Sequence, residues 1–340
     1  MLRLFYEQGN IVATMKDIAS IAGVSLSTVS HVVNNSRFVS EEITLRVKKV
    51  IEELNYRPSL VARSLKLKET NTIGMIVTTS NNPFFAEVVR HVERYCERHH
   101  YHLILVNTDG NSQNLQQHLE RLLLKQVDGL LLMCAEPQNF DLSVITNLTL
   151  PMVVIDWWQQ SIYADIIHEN SELGGYLATK ALIDAGYRDI AVITGELSKP
   201  LAVNRLEGYK RAFSENHLPI RPEWIIESHF HYDGGIEAMT KLLVLPSRPK
   251  AVFAMSDSIA IGAYQVIQRA GLRIPQDIAI IGYDNIELAQ YLYPPLSTIH
   301  QPKARLAKAA VEKLILRIHQ PQTEIETMKL TPELIIRESF

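Results

Sequence analysis

The sequence predicts an α/β protein in three parts: a helix-turn-helix head, a short hinge helix, and two doubly wound parallel-sheet lobes. Three observations carry this. Residues 15–34 have the spacing of two short crossing helices. From Thr72 onward, apolar runs alternate twice over with amphipathic helical patterns. Positive charge is gathered at one end of the 340-residue chain. The expected boundaries are an extension at 1–13, the head at 14–58, hinge and linker at 59–71, and the lobes at 72–340. The first lobe is expected to take about 72–168 and 302–327, the second about 169–301 and 328–340. The extension lacks a continuous apolar stretch and a cleavage site, so it does not read as a secretory signal and is expected to be disordered.

In the head, Ala19, Gly23, Val29 and Val32 fall where two crossing helices need them. A small Ala permits close approach, Gly accepts a left-handed turn, and the Val pair pins the second helix to the first. Ser25 is the expected N-cap of that second helix. Ser27, Ser30, His31 and Asn34 then fall at i, i+3, i+4 and i+7, a polar stripe opposite the Val face. Such a stripe is commonly only a solvated face, but short hydrogen-bonding side chains on a helix also suit base edges in a major groove. Glu41 to Leu54 forms a third amphipathic helix with Ile43, Val47, Val50, Ile51 and Leu54 on one side. Pro58 and Ser59 interrupt it and can open a short helix at Leu60–Lys66.

Between Thr14 and Thr70 there are nine Lys/Arg against six Asp/Glu, a net of +3 in a chain whose total is −3. The basic charge therefore lies in the head, as phosphate binding requires. Two cysteines, Cys96 and Cys134, form neither a metal pattern nor a secreted disulfide framework. No run reaches the ~18 apolar residues of a membrane span. The composition fits a cytoplasmic regulator with no membrane partner.

The first lobe is read from apolar runs at Ile73–Val77, Leu103–Val106, Gly129–Met133 and Met152–Ile155. The second is read from Ile190–Ile193, Trp224–Ile226, Ala251–Ala254 and Ile278–Ile281. Helical patterns such as Leu115, Leu119, Leu122 and Leu123 lie between them. Continuous apolar strands of this kind imply parallel sheets covered on both faces, with ligands binding beyond the strands' carboxyl ends. Those ends carry Asn82, Phe84 and Phe85, then Asp156 and Trp157, then Arg205, Phe230, Asp284 and Gln301. Carboxylates and amides grip vicinal hydroxyls, aromatic rings cover the C–H faces of a sugar, and Arg205 adds donors that do not titrate. The set suits a pentose or hexose. Phe84 and Phe85 begin a helix with Val88, Val89 and Val92, so either is alternatively core. Asp257 precedes Ser258-Ile259-Ala260 and reads as a helix N-cap rather than a ligand group. His99-His100-Tyr101-His102 sits where a helix runs into a strand and is not read as a metal site.

Thr28-Val29-Ser30-His31-Val32-Val33-Asn34, Arg37-Phe38-Val39, Asn55-Tyr56-Arg57-Pro58-Ser59 and Ala62-Arg63-Ser64-Leu65-Lys66 resemble the LacI/GalR family of bacterial transcription regulators. The resemblance extends from Thr14 to Glu338. It implies that Ser27, Thr28, Ser30, His31, Asn34 and Arg37 meet operator DNA. It also implies that residues 59–66 form a hinge helix, with Lys66 on the DNA and Leu65 wedged into the minor groove beside its dimer mate. Leu26 departs from the small polar residue common at its position. The lobes resemble the periplasmic sugar-binding fold this family shares. Asn82-Pro83-Phe84-Phe85, Gly282-Tyr283-Asp284 and Ile299-His300-Gln301-Pro302 are similar to its ribose-binding version. Carried over, the resemblance makes Asn82, Phe84, Phe85, Asp156, Arg205, Phe230, Asp284 and Gln301 contacts for D-ribose. Ser256 stands where it implies an Asn.

The expected function is a homodimeric repressor of a sugar operon, most simply a ribose operon, released from a palindromic operator when sugar binds between the lobes. A purine-responsive corepressor-type regulator is the alternative within the family. It would need an Arg/Thr pair in the loop after Gly195, where this chain has Ser198-Lys199-Pro200-Leu201. A sugar-binding transport protein would have no use for residues 15–66. An enzyme is not expected, since G-x-x-x-x-G-K-[ST], G-x-S-x-G and H-E-x-x-H are all missing. No cofactor, metal or catalytic residue is expected.

Overall fold

The computed structural model describes residues 13–56, 69–133, 145, 149–156 and 164–340. The chain divides into two compact units between Thr70 and Asn71. In the head, helix α1 spans Met15–Ala22, α2 Leu26–Asn34 and α3 Glu41–Glu53. Thr14 and Asp17 close a capping box at the start of α1, which satisfies two of its orphan N–H groups. Gly23 ends α1 at φ 63°, the left-handed turn the sequence requires. The Ser25 side chain accepts from Thr28 N–H at 3.1 Å and so opens α2. Ile18, Ala19, Ala22, Val29, Val47 and Val50 make the buried core, with Val32, Val33, Ile43 and Ile51 packed against it.

In the second unit, the first lobe contains β1 (Thr72–Val77), α4 (Pro83–Arg98), β2 (His102–Asn107), α5 (Ser112–Leu124), β3 (Gly129–Met133), β4 (Met152–Ile155) and β5 (Asp165–Glu169). The chain then crosses to α6 (Ser171–Asp184), β6 (Ile190–Ile193), α7 (Pro200–Glu215), β7 (Ile225–Ile226), α8 (Tyr232–Leu243), β8 (Ala251–Ala254), α9 (Asp257–Arg269), β9 (Ala279–Asp284) and β10 (Ser297–His300). It returns through α10 (Lys303–His319) and β11 (Thr327–Leu330), and crosses a third time to β12 (Glu333–Ile335). The two sheets run in the orders β11-β5-β4-β3-β1-β2 and β12-β10-β9-β8-β6-β7. All pairings are parallel except β10 with β12. Alternation divides each strand between two covering layers. Ile73, Met75 and Val77 join the cluster of α4 and α10, while Ile76 joins Leu115, Leu119 and Leu122 of α5.

Six of the eight expected runs are strands, with ends shifted by at most one residue at β1 and β2. Trp224 instead closes a 3₁₀ turn at Pro222–Trp224, with its ring nitrogen donating to Ser247 C=O at 3.2 Å, so β7 is only two residues long. β9 starts one residue late, at Ala279, and continues through Asp284. The lobe boundary at 327/328 is corrected: Thr327–Leu330 pairs throughout with Ile166–Glu169 of the first sheet, so the third crossover follows Leu330. Three of those four residues are exposed, which is why the segment lacks an apolar signature.

Candidate functional site

On α2 the expected stripe is part-exposed and already ordered. Ser27 Oγ lies 2.7 Å from Ser25 Oγ, and Thr28 Oγ1 lies 2.8 Å from the same atom. Asn34 Nδ2 donates to Ser30 C=O at 2.8 Å, and His31 Nδ1 lies 2.9 Å from Ser36 Oγ. These bonds hold short polar groups in fixed rotamers on the outer face, which lowers the ordering cost of any contact they make. Arg37 is exposed, and with His31, Phe38, Val39, Thr44 and Lys48 it lines a groove between the end of α2 and α3. Phe38 is 96% exposed. Lys48, not among the expected contacts, adds a second cation there. Leu65 and Lys66 lie outside the described residues.

The other site is a cleft between the lobes of the second unit, lined by Asn82, Phe84, Phe85, Asp156, Arg205, Phe230, Asp284 and Gln301. Eight of the nine expected residues therefore meet in one place; Trp157 lies outside the described residues. Asn82 is the N-cap of α4, accepting from Phe84 N–H at 2.9 Å, and its amide donates to Phe230 C=O of the opposite lobe at 3.4 Å. The Phe84 and Phe85 rings stand edge to face at 5.7 Å, a favourable aromatic geometry. Phe84 serves both readings, since it lines the cleft and belongs to the core.

Arg205 owes its place to glycine. A Cβ on Gly175 of α6 would lie 2.1 Å from Arg205 C=O, so only glycine lets α6 and α7 approach this closely. The Arg205 guanidinium lies 3.6 Å over the Tyr283 ring and donates through Nη1 to Met255 C=O at 2.6 Å. Its Nε is buried without a hydrogen-bond partner among the described residues. A buried donor left unpaired is costly, so the atom is available for a ligand acceptor. Gly195 plays a similar part for Phe230, whose ring would meet a Cβ there at 2.0 Å.

Around this guanidinium stand several buried acids. Burial pushes Asp156 up to about 6, against the opposing pull of Glu169 N–H, 3.2 Å away, and of Arg205. Burial raises Glu169 to about 7; it accepts from Tyr283 OH at 2.6 Å and Ser171 OH at 2.8 Å. Burial also raises Asp284, whose Oδ1 accepts from Gln301 Nε2 at 2.7 Å. Desolvation lowers Arg205, but Tyr283, Asp284, Glu169 and Asp156 more than offset it and the net shift is upward.

Sequence reasoning missed Glu169 because β5 is short and polar at both ends. Its signal was available: an acid at the carboxyl end of a strand. Glu169 stands behind the cleft, whereas Lys199 and His231, which the reading also missed, line it and lie beyond β6 and β7. Asp257 is corrected: the N-cap of α9 is Ser256, which accepts from Ile259 N–H at 3.1 Å and itself lines the cleft. Asp257 is the first helical residue, fully buried, accepting from Thr298 OH at 2.6 Å and Ile286 N–H at 2.8 Å. A carboxylate with one donor from β10 and one from the turn after β9 is drawn inward rather than to its own helix N-terminus. His99 and His100 end α4 at the junction with β2, and no group of three metal-ligating side chains occurs among the described residues.

A helix-turn-helix head followed by a two-lobed domain whose aromatic-walled cleft gathers charged groups has the make-up of a DNA-binding regulator. Residues 14–59 match the model for bacterial regulatory proteins of the lacI family, and residues 179–340 that for the periplasmic binding protein-like domain. The chain is 58% identical to the ribose operon repressor of Haemophilus influenzae, over 96% of this chain and 98% of the relative. It is 49% identical to the HTH-type transcriptional repressor PurR of Pasteurella multocida, over 96% and 98%. Among solved structures, the lac repressor dimer bound to operator and the anti-inducer ONPF aligns with a TM-score of 0.85 at 26% identity, covering 96% of this chain and 98% of that one. A LacI family regulator from Enterococcus faecium with bound ribose aligns at 0.71 and 30% identity, over 79% and 98%. The chain belongs to the lacI family and is a DNA-binding transcriptional repressor; its relatives are repressors, not enzymes. No helix among the described residues is long and apolar enough to cross a membrane.

Proposed function

We propose that this repressor controls a ribose utilisation operon, binds its operator as a homodimer, and is released by D-ribose bound between the lobes. One observation carries the sugar reading: three carboxylates, a guanidinium, an ammonium and two amides converge on a cleft walled by Phe84, Phe85 and Phe230. The polar groups grip hydroxyls while the rings and Trp157 cover C–H faces. The relatives named for ribose operons and the ribose-bound regulator support the same reading.

On the DNA, Ser27, Thr28, Ser30, His31, Asn34 and Arg37 of each protomer meet one half-site. Leu65 wedges the centre and Lys66 meets a phosphate. A two-fold dimer calls for a near-palindromic operator. Ribose draws the lobes together, separates the paired hinges and lets them melt. The coupling is reciprocal, so operator weakens ribose binding by the factor by which ribose weakens operator binding, typically about 5- to 150-fold.

A purine corepressor is favoured by one finding, the 49% identity to a PurR repressor. Against it, Leu201 lines the cleft and cannot donate to a purine carbonyl. Fluorescence anisotropy of labelled DNA from the gene's upstream region, at fixed salt, separates the two. D-ribose should lower the anisotropy and hypoxanthine leave it unchanged; tightening by hypoxanthine would replace the sugar reading with the purine one.

A further inference from the structure

We propose that Lys303, held by Glu87, is a positioning residue of the effector site: it fixes the turn that aims Asp284 into the cleft and ties that turn to the first lobe. The assignment rests on the effector reading of the cleft given above. β9 ends on two successive non-glycine residues in the left-handed half of backbone space, Asp284 at φ 110° and Asn285 at φ 50°. Side-chain-bearing residues persist there only when their surroundings over-determine the conformation. Two residues of the crossover into α10 supply much of that determination. Gln301 holds the Asp284 carboxylate. Lys303 Nζ donates to Asp284 C=O at 2.8 Å and to Asn285 C=O at 2.6 Å.

The third donor of the ammonium goes to Glu87 Oε2 at 2.9 Å. All three N–H groups of a buried lysine are thereby used. Glu87 lies on α4 of the first lobe, and its other oxygen accepts from Glu287 N–H of the second lobe at 2.7 Å. Lys303 and Glu87 therefore belong to first-lobe helices, while the atoms they hold besides each other belong to the second lobe, immediately behind the ligand carboxylate. Any movement of one lobe against the other must move or break this clasp, and with it the aim of Asp284. Neither residue lines the cleft.

A buried lysine with a purely structural role would lower stability without selecting Asp284. A double-mutant cycle on D-ribose affinity distinguishes the two, read by calorimetry on the full-length chain. Lys303→Met should weaken ribose binding about tenfold or more in the unmodified background, and much less in an Asp284→Asn background. Equal losses in both backgrounds overturn the assignment. If Lys303→Met does not fold, Glu87→Gln carries the cycle, with a smaller loss and the same non-additivity expected. Failure of the unmodified chain to bind ribose overturns the effector reading and this assignment together. Binding with an additive cycle overturns this assignment alone.

Discussion

The head and the lobed unit present their functional side chains in opposite ways. In the head they are short, mostly neutral and at the surface, ordered by bonds within one or two helical turns such as Asn34 to Ser30. In the lobes they are buried and charged, ordered by partners far along the chain. Tyr283 reaches Glu169 across 114 residues, and Glu287 reaches Glu87 across 200. A surface that must meet a hydrated polyanion keeps its groups wet, held by bonds to near neighbours in sequence. A cleft that must single out one small molecule gains from groups already desolvated and aimed, because the ordering cost is met in folding rather than in binding.

If the two units work by these separate means, they should break separately. The largest effect is expected from Asp284→Ala, which removes a buried acceptor and strands the Gln301 amide. Sugar affinity should fall about a hundredfold or more, while operator binding without sugar is retained. An intact ribose response in anisotropy would remove Asp284 from the site. Leu65→Ala should do the converse, weakening operator binding about tenfold with ribose affinity nearly unchanged; equal loss of both would sink the hinge assignment.

A pH dependence should separate the units further. A carboxyl whose pKa is higher folded than unfolded stabilises the fold below its unfolded pKa, and that stabilisation is lost as pH rises through the folded value. For Glu169, moving from 4.5 to about 7, this corresponds to about 3 kcal/mol. Thermal melting of the sugar-free lobed unit should therefore fall between about pH 5 and pH 8, and Glu169→Gln should flatten the slope. In the head, hydrogen bonds from Thr14 hold Asp17 below the ordinary carboxylate value, so its contribution is lost only as pH falls, outside this window; a slope unaltered by Glu169→Gln would exclude Glu169 as its source. The smallest effect belongs to Ser25→Ala, which removes the α2 cap and should cost the head about 1 kcal/mol in its own melting transition. The lobes should be untouched.

Legibility followed the same division. Ser25, Gly23 and the Val face were readable because capping and helical periodicity act over three or four residues. The strand-end residues were readable because buried parallel strands leave continuous apolar runs that point to their own carboxyl ends. Phe84 could not be assigned to core or cleft from sequence, since it occupies both.

By itself, the sequence determined the helices of the head, the Ser25 cap of α2 and the Gly23 turn, the order of the apolar strands and eight of the residues that meet in the cleft. These rest on short-range regularities that any chain with this pattern would obey. Only the tertiary structure decided which sheet takes Thr327–Leu330, that Asp257 turns inward while Ser256 caps α9, and that Glu169, Glu87 and Lys303 stand behind the ligand groups. Each depends on partners brought together from distant segments. A buried acid or amine is tolerated only where such partners satisfy it, and no local pattern records who they are.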